Sequence, residues 1–306
     1  MTGEANGPST VRSCHLFAIK PYVCRIFVTS IFGEGIHMTR DPQRLSRRTL
    51  LKRGMGIFGL LAGGLISSSS LAEMLKEPTP HQSLGPFFPD EGDPIDEIRE
   101  NHAIGLPISQ ANDQDLTFVK GRRGKAKGQV IYLKGKVLSA KTGKAIPHTV
   151  IIMWSASASG RYNHKKDDGM LEFPHPMTGE IIHRTYDAYF QYWGRAVSNE
   201  QGDYWFKTIV PGFYPIDLEA GLYRPSHLHF QLFPPEHPTL VTQLYFRGDQ
   251  IPNNELNQKL LPMDVVILDA GLTTIDLERV IVDYAPDASG EMSDGLVGHY
   301  DFLVPT

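Results

Sequence analysis

From residue 129 onward the chain is built of short runs of β-branched and aromatic residues separated by turn signals. These runs predict strands at 129–139, 149–156, 204–209, 227–233, 240–246 and 279–284. Between them stand Lys141-Thr142-Gly143, Gln201-Gly202-Asp203, Pro211-Gly212 and Arg247-Gly248-Asp249, whose residue types favour tight turns. In 227–233 a strand's alternation puts His227, His229 and Gln231 on one face and Leu228, Phe230 and Leu232 on the other. Only 254–261 suggests a helix, and a short one. Many short strands with little helix predict a mainly β fold: a β-sandwich core of short antiparallel strands with long loops, spanning 129–306. Ahead of it, 73–128 reads as an N-terminal arm and loops, and 77–98 is rich in Pro, Gly and acidic residues. The stretch 163–195 shows no clear period, and loops of that length often carry function.

The first 72 residues follow a different logic. Ser46-Arg47-Arg48-Thr49-Leu50-Leu51-Lys52, the mildly apolar run 54–66 and Ser70-Leu71-Ala72 form, in order, a twin-arginine motif, a hydrophobic region and a small-x-small cleavage site. Residues 38–72 are therefore expected to be a signal peptide read by the twin-arginine (Tat) export machinery, giving a periplasmic or secreted protein. The apolar run is too short to span a bilayer, so no stable membrane anchor is expected. Residues 1–37 are expected to be an over-extended reading frame, with Met38 as the start. The twin-arginine route carries folded proteins, often with a metal or cofactor inserted, which raises the expectation of a metal in the body.

Composition sharpens this division. The 306 residues carry a net charge of −4, but nine of the 30 Lys and Arg and only three of the 34 Asp and Glu fall within 1–72. The remaining 21 basic and 31 acidic residues leave the body at about −10, so no basic field draws it onto nucleic acid. Both cysteines, Cys14 and Cys24, lie in the front segment. The body thus has no disulfide and no thiolate ligand for a metal.

Candidate chemistry lies between Tyr162 and Gln243. His227 and His229, two apart on one strand face, can converge on a metal, although a lone His-x-His is more often a solvated polar face. Zinc is the default for such a pair, completed by a third His or a carboxylate, but there is no HExxH and no clear third ligand. Tyrosine offers another completion. Tyr214 sits in the rigid turn Pro211-Gly212-Phe213-Tyr214-Pro215, and Tyr162 follows the strand 149–156. Each alone fits an aromatic at a strand end. A phenol titrates near ~10 in water, so tyrosinate at neutral pH needs a strong local cation. Ferric iron is hard, favours anionic oxygen and tolerates imidazole. Two phenolates and two neutral imidazoles would leave Fe(III) at net +1.

Four segments occur in order: Gly160-Arg161-Tyr162-Asn163-His164; Gly202-Asp203-Tyr204-Trp205-Phe206-Lys207-Thr208-Ile209-Val210-Pro211-Gly212-Phe213-Tyr214-Pro215; Arg224-Pro225-Ser226-His227-Leu228-His229-Phe230; and Thr242-Gln243-Leu244-Tyr245-Phe246-Arg247-Gly248-Asp249. Together with Gln82-Ser83-Leu84-Gly85-Pro86-Phe87-Phe88 upstream, they resemble the intradiol ring-cleavage dioxygenases, most of all the iron-bearing chains of the protocatechuate 3,4-dioxygenases. The resemblance implies non-haem Fe(3+) held by Tyr162, Tyr214, His227 and His229, with Tyr214 displaced when a catechol chelates the iron. It implies cleavage of the aromatic ring of a catechol, a protocatechuate-like one, by O2 to a cis,cis-muconate-type diacid. Arg224 would stabilise anionic character over the ring, and Gln243 would hydrogen-bond on the O2 side. Residue for residue, Arg224 alone also fits a surface ion pair and Gln243 a cross-strand partner.

This sequence departs from those chains in having Ile216 where they place a tryptophan, and in the aromatic run Tyr186, Tyr189, Tyr192 and Trp193. Both departures are expected to affect the substrate pocket. A homo-oligomer is the expected assembly. Two other functions stay open at this point: a secreted β-sandwich module that binds without turnover, and a zinc hydrolase using His227 and His229.

Overall fold

A computed structural model describes residues 77–88, 113–164 and 166–306. The expected signal peptide and the expected start at Met38 lie outside the described residues. Thirteen strands occur among the described residues: β1 (Val130–Ser139), β2 (Val150–Trp154), β3 (Glu172–Pro174), β4 (Ile181–His183), β5 (Trp193–Val197), β6 (Asp203–Ile209), β7 (Tyr214–Asp217), β8 (Leu222–Arg224), β9 (His227–Phe233), β10 (Leu240–Arg247), β11 (Ile281–Pro286), β12 (Leu296–His299) and β13 (Phe302–Val304). Three short helices follow β10: α1 (Asn254–Leu260), α2 (Val265–Asp269) and α3 (Thr274–Glu278). The fold is mainly β, as the pattern predicts.

Nine strands form one sheet in the order β13-β1-β12-β11-β10-β9-β2-β5, with β6 also paired to β1. Most ladders are antiparallel; β1 pairs in parallel with β12 and β13, and β10 with β11. Strands distant in that order meet through their side chains. Phe206 of β6 lies 6.1 Å from Phe230 of β9, and Phe302 of β13 lies 5.1 Å from the same ring. The sheet is thereby folded into two packed layers, and the apolar alternates Leu228, Phe230 and Leu232 are fully buried between them. The opposite face of β9 is left to carry His227 and His229.

The predicted helix forms as α1. Helices α2 and α3, which the periodicity does not predict, are single turns set by their caps rather than by an apolar stripe. The Asp264 side chain accepts from the Val266 N–H, and Thr273 with Asp276 makes a capping box. Strands β5, β12 and β13 and the hairpins β3/β4 and β7/β8 lie outside the predicted runs, since three to five residues give too little alternation to read.

The described parts of the arm are strapped to the core by backbone bonds. Thr79 N–H donates to Leu303 O and Gln82 N–H to Val241 O, and Leu116 is fully buried with its N–H on Lys207 O. The strap brings Gln82, Gly85 and Phe87 over one end of β9 and β10.

Truncating Phe230, which joins the layers, is expected to cost about 3–5 kcal/mol. Urea unfolding of Phe230→Ala checks this, with a lowered midpoint and an unchanged m-value as the expected outcome.

Candidate metal centre and substrate cleft

Strand β9 sets the first two groups. Its alternation turns both imidazoles to one side, where His227 Nε2 and His229 Nε2 stand 3.0 Å apart. His227 Nδ1–H donates to Pro225 O at 2.6 Å, which fixes the proton on Nδ1 and leaves Nε2 a bare lone pair. Across the sheet, Trp154 pairs with His229 in register and stacks on its ring at 4.8 Å and 11°. The backbone of Gly85 closes the other side, since a Cβ there would lie 3.1 Å from His229 Cε1.

The loop after β2 supplies the third group. Tyr162 Oη lies 3.2 Å from His227 Nε2 and 3.1 Å from His229 Nε2, so three donor atoms meet at near-equal separations. The loop is held by a buried clamp. The Tyr162 N–H donates to Asp167 Oδ2 at 2.7 Å, and that carboxylate takes Arg184 Nη2 at 2.7 and 2.8 Å. Arg184 also donates to Gly160 O from Nε and Nη2.

Tyr214 opens β7 and is brought alongside by two glycines. Gly160, at φ +80°, lies so close to Phe213 O that a Cβ would stand 2.5 Å from it, and a Cβ on Gly212 would meet Gly160 N at 2.5 Å. The Tyr162 and Tyr214 rings then stand perpendicular with centroids 5.7 Å apart, and Phe87 stacks on Tyr162 at 4.5 Å. The β7/β8 hairpin places Arg224 directly opposite Tyr214.

Arg224 is buried. Its Nε donates to Asp264 Oδ2 at 2.8 Å and its Nη2 to Gln243 Oε1 at 2.6 Å. Gln243 sits opposite His229 on β10, and its Nε2 donates to Ser83 O at 3.0 Å. All six residues singled out from sequence therefore fall in one neighbourhood. Sequence reasoning missed Asp167, Arg184, Asp264, Trp154 and Phe87. The capping position of Asp264 was a legible signal; the pairing of Arg184 with Asp167 had none.

The electrostatics keep the donor atoms of the cluster uncharged. Burial first, and then the positive charge of Arg224, push both histidines well below their ordinary pKa, so they are neutral lone-pair donors at neutral pH. Burial first, and then Tyr214, push Tyr162 well above the ordinary phenol value. Burial also raises Tyr214, with Arg224 working the other way. His227 Nε2 has no proton to give, so it can act only as a lone-pair donor. Among the described residues no group of three or more His, Cys, Asp or Glu is placed to hold a metal. The histidine pair is completed by phenols, a donor set that suits iron.

Beside the cluster lies a cleft of about 340 Å³, lined by Tyr214 and Arg224 and by apolar walls from Phe87, Pro215, Ile216 and Val266. Ile216 lines it as expected. The aromatic run does not: Tyr192 and Trp193 are buried in the core, Tyr186 lies under the Arg161 guanidinium, and Tyr189 packs at Gly124. Tyr192 and Trp193 face the core, Tyr186 is half-buried and Tyr189 is exposed, and none of the four lines the cleft, which corrects the expectation that they shape the pocket.

A sequence profile described as Dioxygenase matches residues 107–270, more than half of the chain, so the chain belongs to the dioxygenase family. Within that class it is a member of the intradiol ring-cleavage dioxygenases. It is 36% identical over 140 residues to the protocatechuate 3,4-dioxygenase beta chain of Burkholderia cepacia, covering 45% of this chain and 54% of that one. It is 29% identical over 138 residues to 6-chlorohydroxyquinol 1,2-dioxygenase of Cupriavidus pinatubonensis, covering 41% and 42%. The chain spans about half the length of these relatives. Among solved structures, 3-chlorocatechol 1,2-dioxygenase from Rhodococcus opacus 1CP is 20% identical, with a TM-score of 0.47 over 78% of this chain and 77% of that one.

Stability of the metal-free protein is expected to fall with acidification. In the unfolded chain His227 and His229 take up protons near pH 6.5, whereas the folded cluster holds them neutral to lower pH. The folded state therefore binds fewer protons, and stability is lost as pH drops below about 6.5, by up to about 1.4 kcal/mol per pH unit for each histidine. Urea midpoints between pH 8 and 5 measure this slope, and His227→Gln/His229→Gln is expected to flatten it.

Proposed function

We propose that this chain is a non-haem Fe(III) intradiol dioxygenase that cleaves the ring of a catechol. The observation that carries the reading is the meeting of Tyr162, His227 and His229 donor atoms within 3.0–3.2 Å, with Tyr214 packed against them, in a chain of this family. These four residues would hold the metal, each phenol giving up its proton on binding. Bound there, ferric iron supplies Lewis acidity and draws electron density from a catecholate, which makes the ring reactive toward O2.

The residues divide the remaining work. Of the four, Tyr214 alone lines the cleft. Its Oη is the atom placed to yield to an arriving catechol oxygen and to take up a proton. Tyr162, His227 and His229 stay behind it as the fixed part of the site. Arg224 faces the same cleft with its position set by Asp264 and Gln243, so its charge is preorganised against anionic character developing on the ring. Gln243 is held between Arg224 and Ser83 O and takes the O2 side. The carbon–carbon bond between the two hydroxylated carbons breaks and both atoms of O2 enter the product. The resulting cis,cis-muconate-type diacid balances catechol plus O2 with no external reductant.

Export through the twin-arginine machinery to the periplasm or beyond, and assembly as a homo-oligomer, are part of the proposal and rest on the sequence. No helix among the described residues is long and apolar enough to cross a membrane.

Iron-loaded protein is expected to be red-brown from tyrosinate-to-iron charge transfer, to shift colour with catechol under argon, and to bleach in air with one O2 consumed per catechol. Tyr162→Phe and His227→Ala should weaken iron retention at least about tenfold. Arg224→Ala should keep the iron and slow turnover by about 10²-fold or more. A colourless protein that binds catechol without consuming O2 would support the binding module instead, and full activity after iron removal would overturn the proposal.

A further inference from the structure

Lining and charge at the cleft point to the kind of ring it accepts. Three cations line it, Lys166, Arg184 and Arg224. Every N–H of Arg184 is already committed: Nε to Gly160 O, Nη1 to Gly169 O and Met170 O, and Nη2 to Gly160 O and Asp167. Arg224 gives Nε to Asp264 and Nη2 to Gln243 and lies with Tyr214 at the closed end of the cleft, where the reacting part of the ring is placed above. Lys166 sits exposed at the rim with Asp168, a charge of opposite sign that lines the same cleft. Asp167 and Asp168 line the cleft with the three cations, and the two arginines are each held by a buried carboxylate, Arg184 by Asp167 and Arg224 by Asp264.

The rest of the wall is apolar: Pro86, Phe87, Met170, Pro215, Ile216 and Val266. Exposure along it marks the way in, from Arg224 at 2% and Tyr214 at 5% to Ile216 at 37% and Met170 at 38%. Ile216 reaches this wall through a local irregularity. On β8, Tyr223 and Leu222 are consecutive, but they pair with Pro215 and Asp217, so Ile216 is the extra residue of a β-bulge. Bulges beside sites re-aim a side chain, and this one aims an aliphatic group into the cleft. The volume of about 340 Å³ lies within the roughly 300–1,000 Å³ of sites for drug-sized ligands, which leaves room for more than one bare ring.

We propose that this site prefers catechols bearing an uncharged, apolar ring substituent and discriminates against a ring carboxylate, with Ile216 on the β7 bulge as the specificity-determining residue. The inference rests on the intradiol reading above. A carboxylate set against Ile216, Met170 and Val266 would lose water to apolar groups, whereas an alkyl group there buries apolar surface.

The test uses iron-loaded protein with catechol, 4-ethylcatechol and 3,4-dihydroxybenzoate. Dissociation constants are read anaerobically from the visible band, and kcat/KM from O2 uptake. The expected result is a kcat/KM and an affinity for 4-ethylcatechol at least about tenfold above those for 3,4-dihydroxybenzoate. Ile216→Arg should move the ratio of the two by at least about tenfold toward the carboxylate. Equal or better use of 3,4-dihydroxybenzoate by the unaltered protein, with catechol cleaved, overturns this inference and leaves the functional reading standing. Failure to cleave any of the three overturns both. If Ile216→Arg does not fold, Ile216→Lys gives the same readout.

Discussion

Two neutral imidazole nitrogens and two phenol oxygens are packed together almost wholly out of solvent, with Tyr214 alone reaching the cleft. With the His227 proton fixed on Nδ1 by Pro225 O, its other nitrogen faces His229 Nε2 and Tyr162 Oη as a lone pair at 3.0–3.2 Å. Burial holds both histidines neutral and makes both phenols poor acids. A strong cation would draw on all four together, accepting the lone pairs and letting the phenols ionise. The surrounding structure makes sense as the means of holding that donor set in place before the cation arrives.

The fold meets the requirement by drawing on separate segments, each rigid for its own reason. The histidines ride on β9, whose opposite face is locked into the core by Leu228, Phe230 and Leu232. Tyr162 lies on a loop, and a loop needs a clamp; the Arg184–Asp167 pair provides it at the loop's backbone. Removing one partner of such a buried pair typically costs about 3–5 kcal/mol, so the pair is a structural commitment made for the sake of one tyrosine's position. Tyr214 and Arg224 come as register partners of a single hairpin, which couples the exchangeable phenol to the residue that faces the ring. Buried carboxylates hold both arginines of the cleft, Asp167 for Arg184 and Asp264 for Arg224, so the contacts that position the site also fix where its charges lie.

Much of this was legible in the sequence. The strands with clear runs, including 227–233, form where predicted, because β-branched and aromatic residues that alternate in burial leave a strong mark. The His-x-His pair and the two tyrosines carried little individually; their order within a family pattern made them informative. What could not be read depends on long-range pairing or on very short elements. Arg184 and Asp167 are 17 residues apart in a segment without period, and the hairpin β7/β8 is too short to alternate. The bulge at Ile216 is a register event, visible only when both strands are in view. The aromatic run ending at Trp193 was misread as pocket because bulk in an unreadable loop does not reveal which way it faces.

Anomalous X-ray scattering at the iron absorption edge, from crystals of the protein loaded with iron, tests the central claim most directly. One strong peak is expected within bonding distance of Tyr162 Oη, Tyr214 Oη, His227 Nε2 and His229 Nε2. A protein that cleaves catechol yet shows no peak there, or shows it against other residues, would contradict it.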